Sequence, residues 1–99
     1  MALFIYIGRN GPEGAEKRPG ARPHHLDHLR RLDEAGRIRF AGPLKNDQGD
    51  PCGSLIVLEA EDLAEARSVA ESDPYFSAGV FESVEVFESL QVFPEAEAP

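Results

Sequence analysis

A single cysteine, Cys52, leaves this chain unable to close an internal disulfide and fits a reducing compartment. Positive charge is also scarce. The 10 Lys and Arg against 18 Asp and Glu give a formal net charge of -8, whereas phosphate recognition needs a basic stripe. Most of the cations fall between Arg9 and Lys45, enough for a local basic spot. No hydrophobic run is long. The opening "MALFIYIGRN" is far too short to span a bilayer, and it has neither a preceding basic segment nor a small-residue cleavage site. The expectation is a cytoplasmic protein that binds neither nucleic acid nor membrane. With 99 residues there is length for one domain and not two. A composition 41% hydrophobic can build a core, but so small a domain leaves much surface exposed and is often completed by a partner subunit.

What is present reads as alternating strands and helices. "ALFIYIG" (Ala2 to Gly8) is apolar at both parities, the mark of a strand covered on both faces. "RNGPEGAEKRPGARP" is rich in Gly, Pro and charge and reads as a loop. A first helix is expected from Pro23, suited to a first helical position, to about Ala35, with Gly36 as its stop. "RIRFAGPL" and "SLIVLEA" read as strands joined by the turn chemistry of "KNDQGDPCG". Asp62 with Glu65 resembles a capping box, followed by an apolar stripe of Leu63, Ala66, Val69 and Ala70. That second helix ends near Ser72, because Pro74 pushes its predecessor out of the α region. Asp73 can then cap a short turn that Gly79 ends.

From Val80 to Phe93 alternation returns as a final strand, long enough to bend or overhang the sheet. The domain is therefore expected over residues 1–93, with 94–99 a flexible acidic tail. The order is an α+β, ferredoxin-like βαββαβ arrangement: an antiparallel sheet with two helices on one face. Leu3, Ile5 and Ile7 take one face of the first strand, Phe4 and Tyr6 the other. The helices cover one of these faces, and a second copy of the chain is the simplest cover for the other, giving a homodimer or larger.

The first helix carries three histidines, which helical geometry separates. Leu26, Leu29 and Leu32 define an apolar face, and His25 lies roughly 40° from its centre, His28 roughly 100° and His24 about 140°. Only His25 leans toward the core. Burial and the helix N-terminus both disfavour its imidazolium, and a carboxylate at contact distance would oppose both and poise the ring for proton transfer. His24 and His28 read as solvated. Their i, i+4 spacing suits a metal, but no further ligand has recognisable spacing. "GRNGPEG" lacks the strand–loop–helix context of a phosphate loop, so no cofactor is indicated.

Four pieces in order, "RPHHL", "GRIRFAGP", "GS" (Gly53-Ser54) and "DPYFSAGV", make the chain resemble the YciI-like (YCII-related) family of the dimeric α+β barrel group. The resemblance spans nearly the whole chain and implies a His-Asp site. The family's His falls on His25 and its Asp on Asp73, in agreement with the helical-face reading. It further implies Arg22, Ser54 and Tyr75 as substrate-binding residues, with Arg22 suited to an anionic group. Set against the resemblance is the Pro/Gly-rich stretch between the first strand and first helix. The expected activity is acid/base chemistry of isomerase, lyase or dehydrohalogenase type on a small cyclic or enolisable metabolite. A non-catalytic ligand-binding module and a purely structural dimer are the alternatives.

Overall fold

The computed structural model describes residues 1–95, so residues 96–99 of the expected tail lie outside the described residues. Four strands, β1 (Ala2–Asn10), β2 (Ile38–Lys45), β3 (Pro51–Ala60) and β4 (Phe81–Ser89), form one antiparallel sheet in the order β2-β3-β1-β4. Helices α1 (Gly14–Glu34), α2 (Leu63–Glu71) and the one-turn α3 (Pro74–Ser77) connect them. This is the ferredoxin-like arrangement expected from the pattern.

Register divides the residues between two faces. Phe4, Tyr6 and Gly8 stand opposite Leu58, Ile56 and Ser54 of β3 and point at the helices. There Phe4, Tyr6, Ile56, Leu58 and Ala60 form the main core with Ala66 and Ala70 of α2. A second cluster of Ala21, Tyr75, Val80 and Phe81 joins α1 to α3. Gly8 makes room for this cluster, since a Cβ there would run into the Phe81 ring.

Several boundaries depart from the sequence reading, among them the start of β3, which takes in Pro51, Cys52 and Gly53 where turn was expected. The stretch expected as a loop is the first part of α1, which begins at Gly14 rather than Pro23 and contains Pro19 and Pro23. Each proline removes one helical hydrogen bond. Ala15, Pro19 and Pro23 form an exposed stripe at i, i+4 spacing, so the lost bonds fall on the solvent side. The opposite stripe, Gly14, Ala21, His25 and Leu32, is buried and anchors the helix. β1 runs on to Asn10, and β4 ends at Ser89, short of the expected Phe93.

Helix ends follow the expected chemistry. In α2 the Asp62 carboxylate accepts the Glu65 N–H at 2.8 Å, although Glu65 reaches the Glu61 N–H rather than closing the box on Asp62. α3 ends on Gly79 at φ 81°, with the Gly79 N–H donating to Phe76 O and the Val80 N–H to Tyr75 O. That left-handed residue suits glycine. Gly36 closes α1 in the same way, at φ 73°.

Candidate active site

Asp73 is placed by the break between α2 and α3. Pro74 occupies the first helical position, and the Asp73 side chain, in the N-cap role, accepts the Tyr75 N–H through Oδ1 at 2.9 Å. The same oxygen lies 2.7 Å from His25 Nδ1. The other oxygen, Oδ2, accepts the Tyr6 hydroxyl at 2.8 Å. Asp73 is 0% exposed and His25 6%, so three donors converge on a carboxylate shut away from water.

The chemistry of this cluster fixes its protons. A carboxylate only accepts, so His25 Nδ1 carries the hydrogen toward it and Nε2 is left as the basic nitrogen. Among the described residues no buried side-chain nitrogen or oxygen lacks a hydrogen-bond partner. Nε2 has no protein partner and therefore opens to the cavity that His25 lines. The Tyr6 hydrogen is committed to Asp73, so its oxygen accepts from His28 Nε2 at 3.3 Å. The chain His28–Tyr6–Asp73–His25 thus runs from the half-buried flank of α1 to the cavity.

Electrostatics agree with these roles. Burial raises the Asp73 pKa, but the His25 hydrogen bond and charge, the Tyr75 N–H and the Tyr6 hydroxyl outweigh it and hold the carboxyl below its ordinary range. Burial, reinforced by Asp73, drives the Tyr6 phenol far above its ordinary value and keeps it a neutral donor. Burial lowers the His28 pKa, aided by His25 and Arg31 and opposed by Asp73. Tyr75 is raised by burial against the pull of Arg18 and Arg22.

The cavity has a volume of about 300 Å³, and Arg22, His25, Ser54 and Tyr75 all line it. Four of the five residues singled out from sequence therefore line one cavity, while Asp73 stands behind His25. The buried Tyr75 ring stacks on His25 with centroids 3.8 Å apart and an interplanar angle of 10°. Phe81 braces it edge-on at 5.4 Å.

Sequence reasoning missed three participants. Arg18 hydrogen-bonds Ser54 Oγ at 2.9 Å, Gly53 O at 3.2 Å and Asn10 Oδ1 at 3.0 Å, and its Cζ lies 4.7 Å from the Tyr75 ring centroid. It sits seven residues before His25, so extending the helical period backwards would have found it. Tyr6 lay in plain view as a core-facing strand residue, and a buried Tyr hydroxyl needs a partner. His28, expected in solvent, instead turns to Tyr6, which corrects the pairing with the exposed His24.

Comparison with known proteins gives the family and the fold. Residues 2–89 match the YCII-related domain. The Protein YciI sequences of Escherichia coli O6:H1 and Shigella flexneri are each 37% identical over 72 residues, 67% of this chain and 74% of theirs. Among solved structures, the 5-chloro-2-hydroxyhydroquinone dehydrochlorinase TftG of Burkholderia phenoliruptrix, in complex with 2,5-dihydroxybenzoquinone, superposes with a TM-score of 0.75 at 30% identity. The alignment covers 86% of this chain and 90% of that one. The chain belongs to the YCII-related domain family.

Proposed function

We propose that this protein is a small enzyme in which His25 takes a proton from a small cyclic or enolisable compound and returns it, while Asp73 fixes the tautomer. The observation that carries this reading is the 2.7 Å contact from His25 Nδ1 to a fully buried carboxylate, with Nε2 left to the cavity. An imidazole so oriented, with Nε2 facing the cavity, is placed to act as a general base. Arg22, Ser54 and Tyr75 contact the bound compound in this reading. Its reaction types are isomerisation, lyase chemistry and dehydrohalogenation. In each, the electron pair freed by proton removal moves into a new π bond, and a leaving group departs or a proton returns elsewhere. The likeness to a dehydrochlorinase supports that class. A turnover screen of small cyclic ketones, lactones and halogenated hydroquinones tests it. Any activity found should vanish in a folded His25→Ala protein, and activity unchanged in that variant overturns the role.

We also propose that a second copy covers the open face of the sheet. Leu3, Ile5 and Ile7 of β1 lie beside Leu55 and Val57 of β3 on that face. Phe40 and Phe87, which pair with Val57 and Ile5, are 53% and 51% exposed. Soluble monomers seldom leave so continuous an apolar surface to water. The ion pairs Arg9–Glu85 and Arg39–Glu59 border the patch. Back-to-back pairing of two such sheets gives the dimeric α+β barrel.

A further inference from the structure

The cavity wall carries two guanidinium groups and no carboxylate, in a chain whose net charge is -8. Asp73, which stands behind His25, is committed to His25, Tyr6 and the Tyr75 N–H. Arg18 is half-buried, and its three hydrogen-bond partners are all neutral oxygens, those of Asn10, Gly53 and Ser54. A guanidinium has five N–H donors, so this fixed cation keeps donors to spare. Neither Arg18 nor Arg22 forms an ion pair among the described residues. A half-desolvated cation without a counter-charge is costly to hold, and an anionic ligand would offset that cost.

We infer that the compound taken by this cavity is a small organic anion, and that Arg18 reads its charge. Leu26, Leu29, Ala41 and Pro43 supply apolar walls around the two cations. The volume of about 300 Å³ is at the lower end of the range for ligand sites, roughly 300–1,000 Å³, and suits a single ring. The class is therefore a single-ring carboxylate or an acidic enol whose anionic oxygen meets Arg18. Arg22, one turn further along α1 and exposed, stands at the mouth. The inference deepens the reading of His25 as a base, and it rests on that reading for the chemistry after binding. When Nε2 takes the proton, a C–H or O–H bond breaks, an N–H bond forms, and the electron pair stays on the substrate as a second negative charge.

Titration calorimetry of the full chain near neutral pH, with benzoate and its neutral isostere benzamide, tests the inference. Benzoate should bind about ten- to a hundredfold more tightly, as expected for a hydrogen bond to a charged group. Arg18→Gln should abolish that preference while benzamide binds as before. Equal affinity for the two compounds overturns the inference, as does no benzoate binding at millimolar concentration. An Arg18→Gln protein that weakens both equally also overturns it, because Arg18 would then be only a brace for Ser54. His25→Ala separates the two readings. If it leaves turnover intact while benzoate is still preferred, the base role falls and the charge reading stands.

Discussion

Replacing Tyr6 by Phe removes one oxygen from the middle of the buried network and leaves the ring in place. The main loss is the 2.8 Å donation to Asp73 Oδ2, between two residues that are each 0% exposed, and the longer 3.3 Å bond accepted from half-buried His28 Nε2 goes with it. A hydrogen bond to a charged acceptor contributes about 1.5–3 kcal/mol, and here the abandoned carboxylate oxygen has no water to turn to. The expected loss is therefore about 2 kcal/mol, which in a domain of this size lowers Tm by roughly 8–16 °C. The change has a pH signature as well. Asp73 is depressed in the folded state, so its stabilisation is present above the unfolded carboxyl pKa and fades as pH falls through the folded one. Without the Tyr6 hydroxyl the folded value rises toward the unfolded one, so the stability lost through Asp73 on acidification is smaller and is complete at a higher pH. Urea unfolding of wild type and Tyr6→Phe across a pH series measures both effects. A variant within about 0.5 kcal/mol of wild type, with an unshifted acid limb, would refute the view that Tyr6 holds the carboxylate.

Gly8→Ala should destabilise by about 1–3 kcal/mol through overpacking against Phe81, and it should disturb the Tyr75 ring that Phe81 braces, visible as shifted His25 and Tyr75 side-chain NMR signals. For His28 the folded pKa lies below the ordinary value of about 6.5, so the unfolded chain protonates first as pH falls and wild type loses stability through that range. In His28→Gln this slope should flatten, which chemical unfolding between neutral and mildly acidic pH checks. Light scattering at micromolar concentration should return at least a dimer; a stable monomer would remove the case for a covered sheet face.

Much of the site was legible because its placement rests on local rules. Pro74 and Gly79 bracket α3, which puts Asp73 at an N-cap whatever the rest of the chain does. The leucine stripe of α1 points His25 inward from periodicity alone. Local rules also misled. Pro19, Gly20 and Pro23 are helix breakers by propensity, yet they lie on the exposed side of α1 and are overridden by the anchoring of Gly14 and Ala21. With the first two turns of that helix read as loop, Arg18 had no face to be assigned to. The partners of Tyr6 and His28 were hidden for a different reason. The contacts of Tyr6 with Asp73 and with His28 join β1 to the N-cap of α3 and to α1 across 67 and 22 positions of sequence, and no short-range pattern encodes such contacts.

The central claim is that Nε2 of His25 removes a proton from a compound in the cavity. Solvent deuterium exchange at the acidic C–H of a bound enolisable ligand, followed by NMR in heavy water, measures that step without requiring the complete reaction. The ligand is to be one that calorimetry shows to occupy the cavity in both wild type and His25→Gln. Wild type should accelerate the exchange, and His25→Gln should lose about 10²–10⁴-fold of the rate, the usual contribution of a positioned general base. Exchange at the wild-type rate in His25→Gln would contradict the account.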